Sequence, residues 1–311
     1  MFEVFGSLLS SFLPNETPLL IKLGLLKDWQ VVGFKGSAVD SRWKNLEVLE
    51  FDNIMDSLKH LYEFPKLKKL KLLSFNGSIY PISKVLNLTS LSIMRFSGPA
   101  FWISPLMNLK ELILPTYTGS ATCFACLPQL EKLELRRIES DIDMLMKLKK
   151  VRKFKLESHK GSIKFLKKWP LEELELTCFD GCLLPLERIY SLRKLALPNQ
   201  TKEIGLHLTY LKNLEYLNLN KYEKGLMCLA FLNNMKELKI SNYEGSVEFL
   251  EGMCDLEKLI IGDCSNTYQN LFFWRKKYYA AWKIFKSLPK LKYICIHHYA
   301  GKLRTLNDHV Y

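Results

Sequence analysis

Few residues in this 311-residue chain could do chemistry by type and spacing. Cys123-x-x-Cys126 has the spacing of half a zinc site or of a redox pair. Cys178 and Cys182 form a second, wider pair, and His297 is followed directly by His298. Glu172, Glu173 and Glu175 crowd carboxylates of the kind acid–base enzymes use in pairs. None of these completes a site. On a strand, adjacent histidines point to opposite faces, so His297 and His298 do not readily share one ion. No phosphate loop, nucleophile elbow, zinc-protease signature or dinucleotide fingerprint occurs. The expectation is a non-catalytic protein with no metal and no cofactor.

The elements that would position such residues come from a repeat, the first thing to seek in a chain of this length. The pattern apolar-x-x-apolar-x-apolar starts at Leu26, Leu46, Leu67, Leu88, Leu109, Leu130, Val151, Leu171, Leu192, Leu214, Met235, Leu256 and Leu291. Successive starts are 20 to 22 residues apart until the last step, which is 35. With 48% apolar residues, chance would fill every signature position on the order of 10⁻¹² of the time in one register. Three residues past the signature stands a large apolar or aromatic residue, as at Phe34, Phe75, Phe96, Tyr117, Phe179 and Tyr243. Glycine follows two residues later, as at Gly36, Gly77, Gly98, Gly119, Gly161 and Gly181. Further apolar residues then recur at spacing three, as at Ile82 and Val85 or Ile103 and Leu106.

Alternation within the signature predicts a short strand with one face inward. Glycine permits a tight turn, and apolar residues at every third position suit a 3₁₀ or extended return. One unit cannot bury its inward row alone, so the units must stack, with Leu70, Leu91, Leu112 and Leu133 side by side on adjoining parallel strands. In such a stack the two cysteine pairs lie three rungs apart, roughly 14 Å at ~4.8 Å per rung. One zinc ion with bonds of about 2.3 Å cannot bridge that gap.

These thirteen copies, over about residues 26 to 306, resemble the leucine-rich repeat family. The short unit is similar to the intracellular class typified by a protein-phosphatase regulatory subunit. The resemblance implies an α/β solenoid: an arc with a parallel concave sheet, 3₁₀ or extended convex segments, and a protein ligand held in the concavity. One departure stands out. The family places asparagine where this chain has Phe34, Phe75, Tyr117 or Tyr243, and no copy has asparagine there. Buried backbone groups that an asparagine ladder would satisfy must be paired by neighbouring backbone or water.

Residues 1–25 are expected to cap the open end, with Phe5, Leu8, Leu9 and Phe12 on one helical face. Residues 26–311 form the repeat domain, closed by a C-terminal cap over about 297–311. Leu13–Glu16 with Arg42-Trp43 loosely resembles the ends of an F-box, which would make the chain a ubiquitin-ligase adaptor. The repeat register of Leu26, Trp29, Val31, Phe34 and Gly36 competes with that reading and is preferred. The twelfth unit carries 14 extra residues, predicted as a helical insertion over about 265–287. Leu271, Trp274, Tyr278, Trp282, Phe285 and Leu288 would share a packed stripe there, with Arg275, Lys276, Lys277 and Lys283 on other faces.

Strand residues that do not face the core would line the concave sheet. Glu134, Lys155 and Glu175, like Lys153, Glu173 and Lys194, alternate in sign between rungs, as neighbouring strands favour. Two stretches break that ladder. The first holds Lys68, Lys69, Lys71, Leu73, Met94, Arg95, Ile113, Pro115, Arg136 and Arg137: apolar residues rimmed by bases, which is how a binding hot spot reads. Lys69, Lys71, Leu73, Met94, Arg95, Ile113, Pro115, Arg136 and Arg137 are the predicted partner site. The second, polar and aromatic, holds Tyr216, Asn218, Asn220, Lys221, Tyr293, His297 and His298.

Lys+Arg 45 against Asp+Glu 32 gives a net charge of +13, which favours an acidic protein ligand and permits nucleic acid or an anionic surface. Concave strands lack the repeated stacking rings that single-stranded nucleic acid uses, so the protein ligand is preferred. No apolar run reaches the ~20 residues of a membrane span. Glu3 in place of a basic residue, and an apolar stretch broken by Gly6, Ser7, Ser10 and Ser11, argue against a secretory signal. The eight cysteines are scattered and not grouped as in secreted scaffolds. The expected compartment is therefore cytoplasmic or nuclear.

Overall fold

The computed structural model describes residues 28–31, 46–54, 58, 61–75, 77–96, 98–198, 205–220, 226–241, 247–262 and 284–296. The predicted caps at 1–25 and 297–311, the Leu13–Glu16 and Arg42-Trp43 segments, and most of the 265–287 insertion lie outside them. The chain divides into two compact units, the first of residues 1–157 and 168–170, the second of 158–167 and 171–311.

Every copy of the signature forms a strand. The first unit holds β1 (Asp28–Val31), β2 (Val48–Ile54), β3 (Lys69–Phe75), β4 (Ser90–Ile93), β5 (Glu111–Ser120), β6 (Lys132–Ser140) and the start of β7 (Lys153–Lys160). The second holds the end of β7 and then β8 (Glu173–Asp180), β9 (Lys194–Leu197), β10 (Tyr216–Asn220), β11 (Glu237–Ser241), β12 (Lys258–Ile261) and β13 (Tyr293–Ile296). In each unit the strands lie side by side in chain order, and pairing is parallel. β1 joins in the repeat register, with Trp29 opposite Leu49 and Val31 opposite Phe51.

The register is that of the leucine rows. Leu70 pairs with Leu91, Leu91 with Leu112, and Leu112 with Leu133, and each is at most 1% exposed. The second unit repeats this with Leu195, Leu217, Leu238 and Leu259. A one-residue slip would turn each row out to solvent, which fixes the pairing. Most returns contain a 3₁₀ turn, such as Tyr80–Lys84, Ala100–Ile103 and Leu184–Arg188. The spacing-three residues Ile82, Ile103 and Leu186 are fully buried.

Where the family ladder of amides would stand, the described copies bury Phe75, Phe96, Tyr117 and Ile138 in the first unit, and His159 and Phe179 in the second. Phe96 and Tyr117 stack at 6.0 Å between centroids. Backbone groups find other partners. Thr116 Oγ1 accepts from the Phe96 N–H at 2.7 Å and lies 3.2 Å from the Phe96 carbonyl, and Tyr117 donates to the Ser120 carbonyl. A separate set of amide bonds stands one residue before four of the signatures. Asn87 donates to the Pro65 carbonyl, Asn108 to Leu86, Asn213 to Tyr190 and Asn234 to Lys212. Gly161 has a φ of 125°, a left-handed value that disfavours any side chain. A Cβ on Gly181 would collide with the Gly161 carbonyl oxygen and the Phe179 ring. Of the insertion's predicted stripe, only Phe285 and Leu288 are described, and both are buried.

Candidate functional site

Strand alternation leaves one face of each sheet open. In the first unit the row between the two leucine rows reads Glu50, Lys71, Ser92, Ile113, Glu134 by direct register. The next row outward starts at Leu73. Met94 N–H donates to the Leu72 carbonyl at 2.8 Å, which carries the parallel pairing past β4 and sets Met94 beside Leu73. Pro115 lies two residues beyond Ile113 on β5, and Arg136 follows the core residue Leu135 on β6. Leu73, Met94, Ile113 and Pro115 are all half-buried. The fold thus brings the predicted site onto β3–β6 and the residues just past β4. Arg95 and Arg137 are exposed at its rim, with Arg137 opposite Thr118.

The expectation that this stretch breaks the charge ladder needs correcting for three members, the first being Lys68, whose Nζ lies 3.1 Å from Glu47 Oε2. Lys71 Nζ lies 2.7 Å from Glu50 Oε1, and Arg136 Nε lies 3.6 Å from Glu157 Oε1. Parallel strands in register place each base next to the residue of the adjoining rung, and here that residue is a carboxylate. Among the described residues, Lys69, Arg95 and Arg137 form no ion pair. Elsewhere the ladder stands as read, with Lys155 facing Glu134 at 3.9 Å and Lys194 facing Glu173 at 3.1 Å. Lys132 and Ser90 both bind Glu111, at 2.6 and 2.9 Å. Burial raises the Glu111 pKa, but those hydrogen bonds and the nearby Lys132 and Lys69 charges outweigh it and leave it below the ordinary value.

Ser92 was not legible as a site residue. It is 6% exposed, and its hydroxyl has no hydrogen-bond partner. An orphaned buried hydroxyl costs about 1–3 kcal/mol. The signal that could have found it is a small polar residue flanked in register by the long Lys71 and the branched Ile113.

The described members of the second predicted stretch do not gather. Tyr216 and Asn218 lie on β10 and Tyr293 on β13, three strands or roughly 14 Å apart at ~4.8 Å per strand. Tyr216 takes its place between Lys194 and Glu237, while Lys258 Nζ sits 5.7 Å over the Tyr293 ring. The Asn220 side chain, Lys221, His297 and His298 lie outside what is described.

Cys123 is half-buried, and burial pushes its thiol up to about 11, where it keeps its proton and is a poor metal ligand. Cys126, Cys178 and Cys182 are exposed and form no disulfide. Among the described residues, no three or more His, Cys, Asp or Glu side chains are placed to hold a metal ion. A polar groove of about 350 Å³ at the edge of the second unit is lined by Arg193, Glu215, Lys236 and Asp255, among others. Its charges are already paired, Arg193–Glu215 at 3.3 Å and Lys236–Glu215 at 2.7 Å. No described helix is long and apolar enough to cross a membrane.

No protein-family model matches the sequence, and no curated protein does. The likeness is to solved structures. An internalin (inlF) from Listeria monocytogenes matches with a TM-score of 0.62 and 18% identity, over 93% of this chain and 90% of its own. A TDR receptor matches with a TM-score of 0.57 and 14% identity, over 90% of this chain and 53% of its own. The Arabidopsis receptor kinase HAESA, solved with the peptide hormone IDA and the co-receptor SERK1, matches with a TM-score of 0.56 and 17% identity. That match covers 78% of this chain and 50% of HAESA, so the chain spans about half the length of each receptor.

Proposed function

From the leucine-rich-repeat fold of this chain, we propose that it is a non-catalytic scaffold that holds a protein ligand on the open face of its first unit. The observation that carries this reading is the apolar set Leu73, Met94, Ile113 and Pro115, with Arg95 and Arg137 exposed at its rim and in no ion pair among the described residues. Apolar residues rimmed by arginine are the make-up of an interface centre, and a preformed sheet lowers the ordering cost of binding. The unpaired Lys69, Arg95 and Arg137 favour a ligand with an acidic surface. HAESA, of similar fold, was solved with a peptide hormone. Aliphatic side chains in place of stacking rings favour a protein over single-stranded nucleic acid on this face.

The test is affinity capture with the wild type against a Leu73→Glu/Ile113→Glu double variant, both verified folded by circular dichroism and melting. The wild type is expected to recover ligands that the double variant loses, by about thirtyfold or more for a central anchor. Recovery of the same proteins by both would sink the proposed face.

A further inference from the structure

The returns of the first unit carry a surface that protein binding on the open face does not use. From Phe64 to Leu130 the only carboxylate is Glu111, against seven Lys and Arg. Glu111 lies on the opposite, open face and is held there by Lys132 and Ser90. The return side of these rungs therefore has no negative charge of its own. It also exposes large apolar groups in two columns, one at each end of the 3₁₀ segments Tyr80–Lys84 and Ala100–Ile103. One column is Tyr80, Phe101 and Trp102, with Tyr80–Trp102 at 4.7 Å and Phe101–Trp102 at 4.1 Å between centroids. The other is Leu86 and Met107, tied together by the Asn108 bond to the Leu86 carbonyl. Tyr80 is 45% exposed, Leu86 55%, Phe101 51% and Met107 52%. Lys84 lies over the Tyr80 ring, 5.5 Å from its centroid.

We propose that this return face of the first unit docks on an anionic lipid membrane. Tyrosine and tryptophan prefer the zone between headgroup and acyl chain, since each is apolar with a polar tip. Phe101, Leu86 and Met107 supply the apolar contact, and Lys84 can keep its stem on the rings while its ammonium reaches the headgroups. Lys84 on returns that carry no carboxylate suits a surface of negative potential. Nucleic acid fits less well: the rings are engaged with one another, and Leu86 and Met107 offer nothing on which a base can stack.

Sedimentation of the full chain with vesicles tests this. Binding to vesicles of phosphatidylcholine with phosphatidylserine is expected, with little to phosphatidylcholine alone and less as salt rises. Lys84→Gln is expected to weaken binding about fivefold, and Phe101→Ser/Met107→Ser about tenfold or more, both with wild-type circular dichroism and melting. Absence of sedimentation with the anionic vesicles, or equal binding by the folded variants, overturns the proposal. Two further outcomes also overturn it. One is a dimer that Phe101→Ser/Met107→Ser abolishes, which gives the face to a second copy. The other is binding of a single-stranded oligonucleotide that the same variants abolish, which gives it to nucleic acid. The Leu73→Glu/Ile113→Glu variant is expected to bind vesicles like the wild type, so the two readings fail separately.

Discussion

At the scale of single residues, Glu111 shows how the open face is held. Its two oxygens take hydrogen bonds from Lys132 and Ser90, so a base of the next rung and a hydroxyl of the previous one meet on one carboxylate. Its folded pKa lies below its ordinary value of 4.5. A depressed carboxylate contributes stability that is present above the unfolded pKa and is lost as pH falls through the folded value. Glu111→Gln is therefore expected to reduce the loss of stability between about pH 4.5 and more acidic solution. Urea midpoints across that range would show it, and an unchanged acid slope would refute the assignment. Glu215 and Glu257, also lowered by their lysine partners Lys236 and Lys292, retain part of the slope in the variant.

At the scale of the element, strand and return divide the work. The strand's inward leucines set the register, and the return's spacing-three residues close the core behind them. Leu112 touches both adjoining rows through Leu91 and Leu133. Leu112→Ala is expected to cost about 2–5 kcal/mol, readable in a denaturant melt. A loss under about 0.5 kcal/mol, as for a surface change, would show that the row is not the core. These inward positions were legible in the sequence because burial tolerates only apolar side chains there. The outer amide ladder was not. Asn87, Asn108, Asn213 and Asn234 read as ordinary turn residues, since nothing in one repeat tells a solvated amide from one bonded to the previous rung. Only their common place, directly before the first residue of four signatures, could have shown it. The ion pairs of Lys71 and Arg136 were missed because each was read with its own strand, not against the carboxylate next door.

At the scale of the whole molecule, the charge of +13 is not spread evenly. Carboxylates and bases answer each other along β6 to β12, while residues 64 to 130 hold seven bases against one carboxylate. The predicted site therefore keeps unpaired bases at Lys69, Arg95 and Arg137, though two of its other bases are neutralised. Exposed charges are screened beyond about 8 Å at physiological ionic strength, so ligand capture by the open face is expected to weaken as salt rises. Capture that strengthens with salt would make the contact apolar throughout and remove the rim from the account. Composition gave the sign of this excess, and the repeat phase gave the face on which Leu73, Met94, Ile113 and Pro115 emerge. Which bases stay unpaired depended on side-chain reach between rungs, which spacing alone does not carry.

The end of β3, the bend after β4 and the far half of β5 carry Phe75, Phe96 and Tyr117, all buried, where a row of amides would be colourless in the near ultraviolet. Rings fixed in asymmetric surroundings give ellipticity at wavelengths where the backbone is silent. The first unit thus has a built-in optical gauge of its turn side, and fraying of those rungs can be followed without attaching a dye.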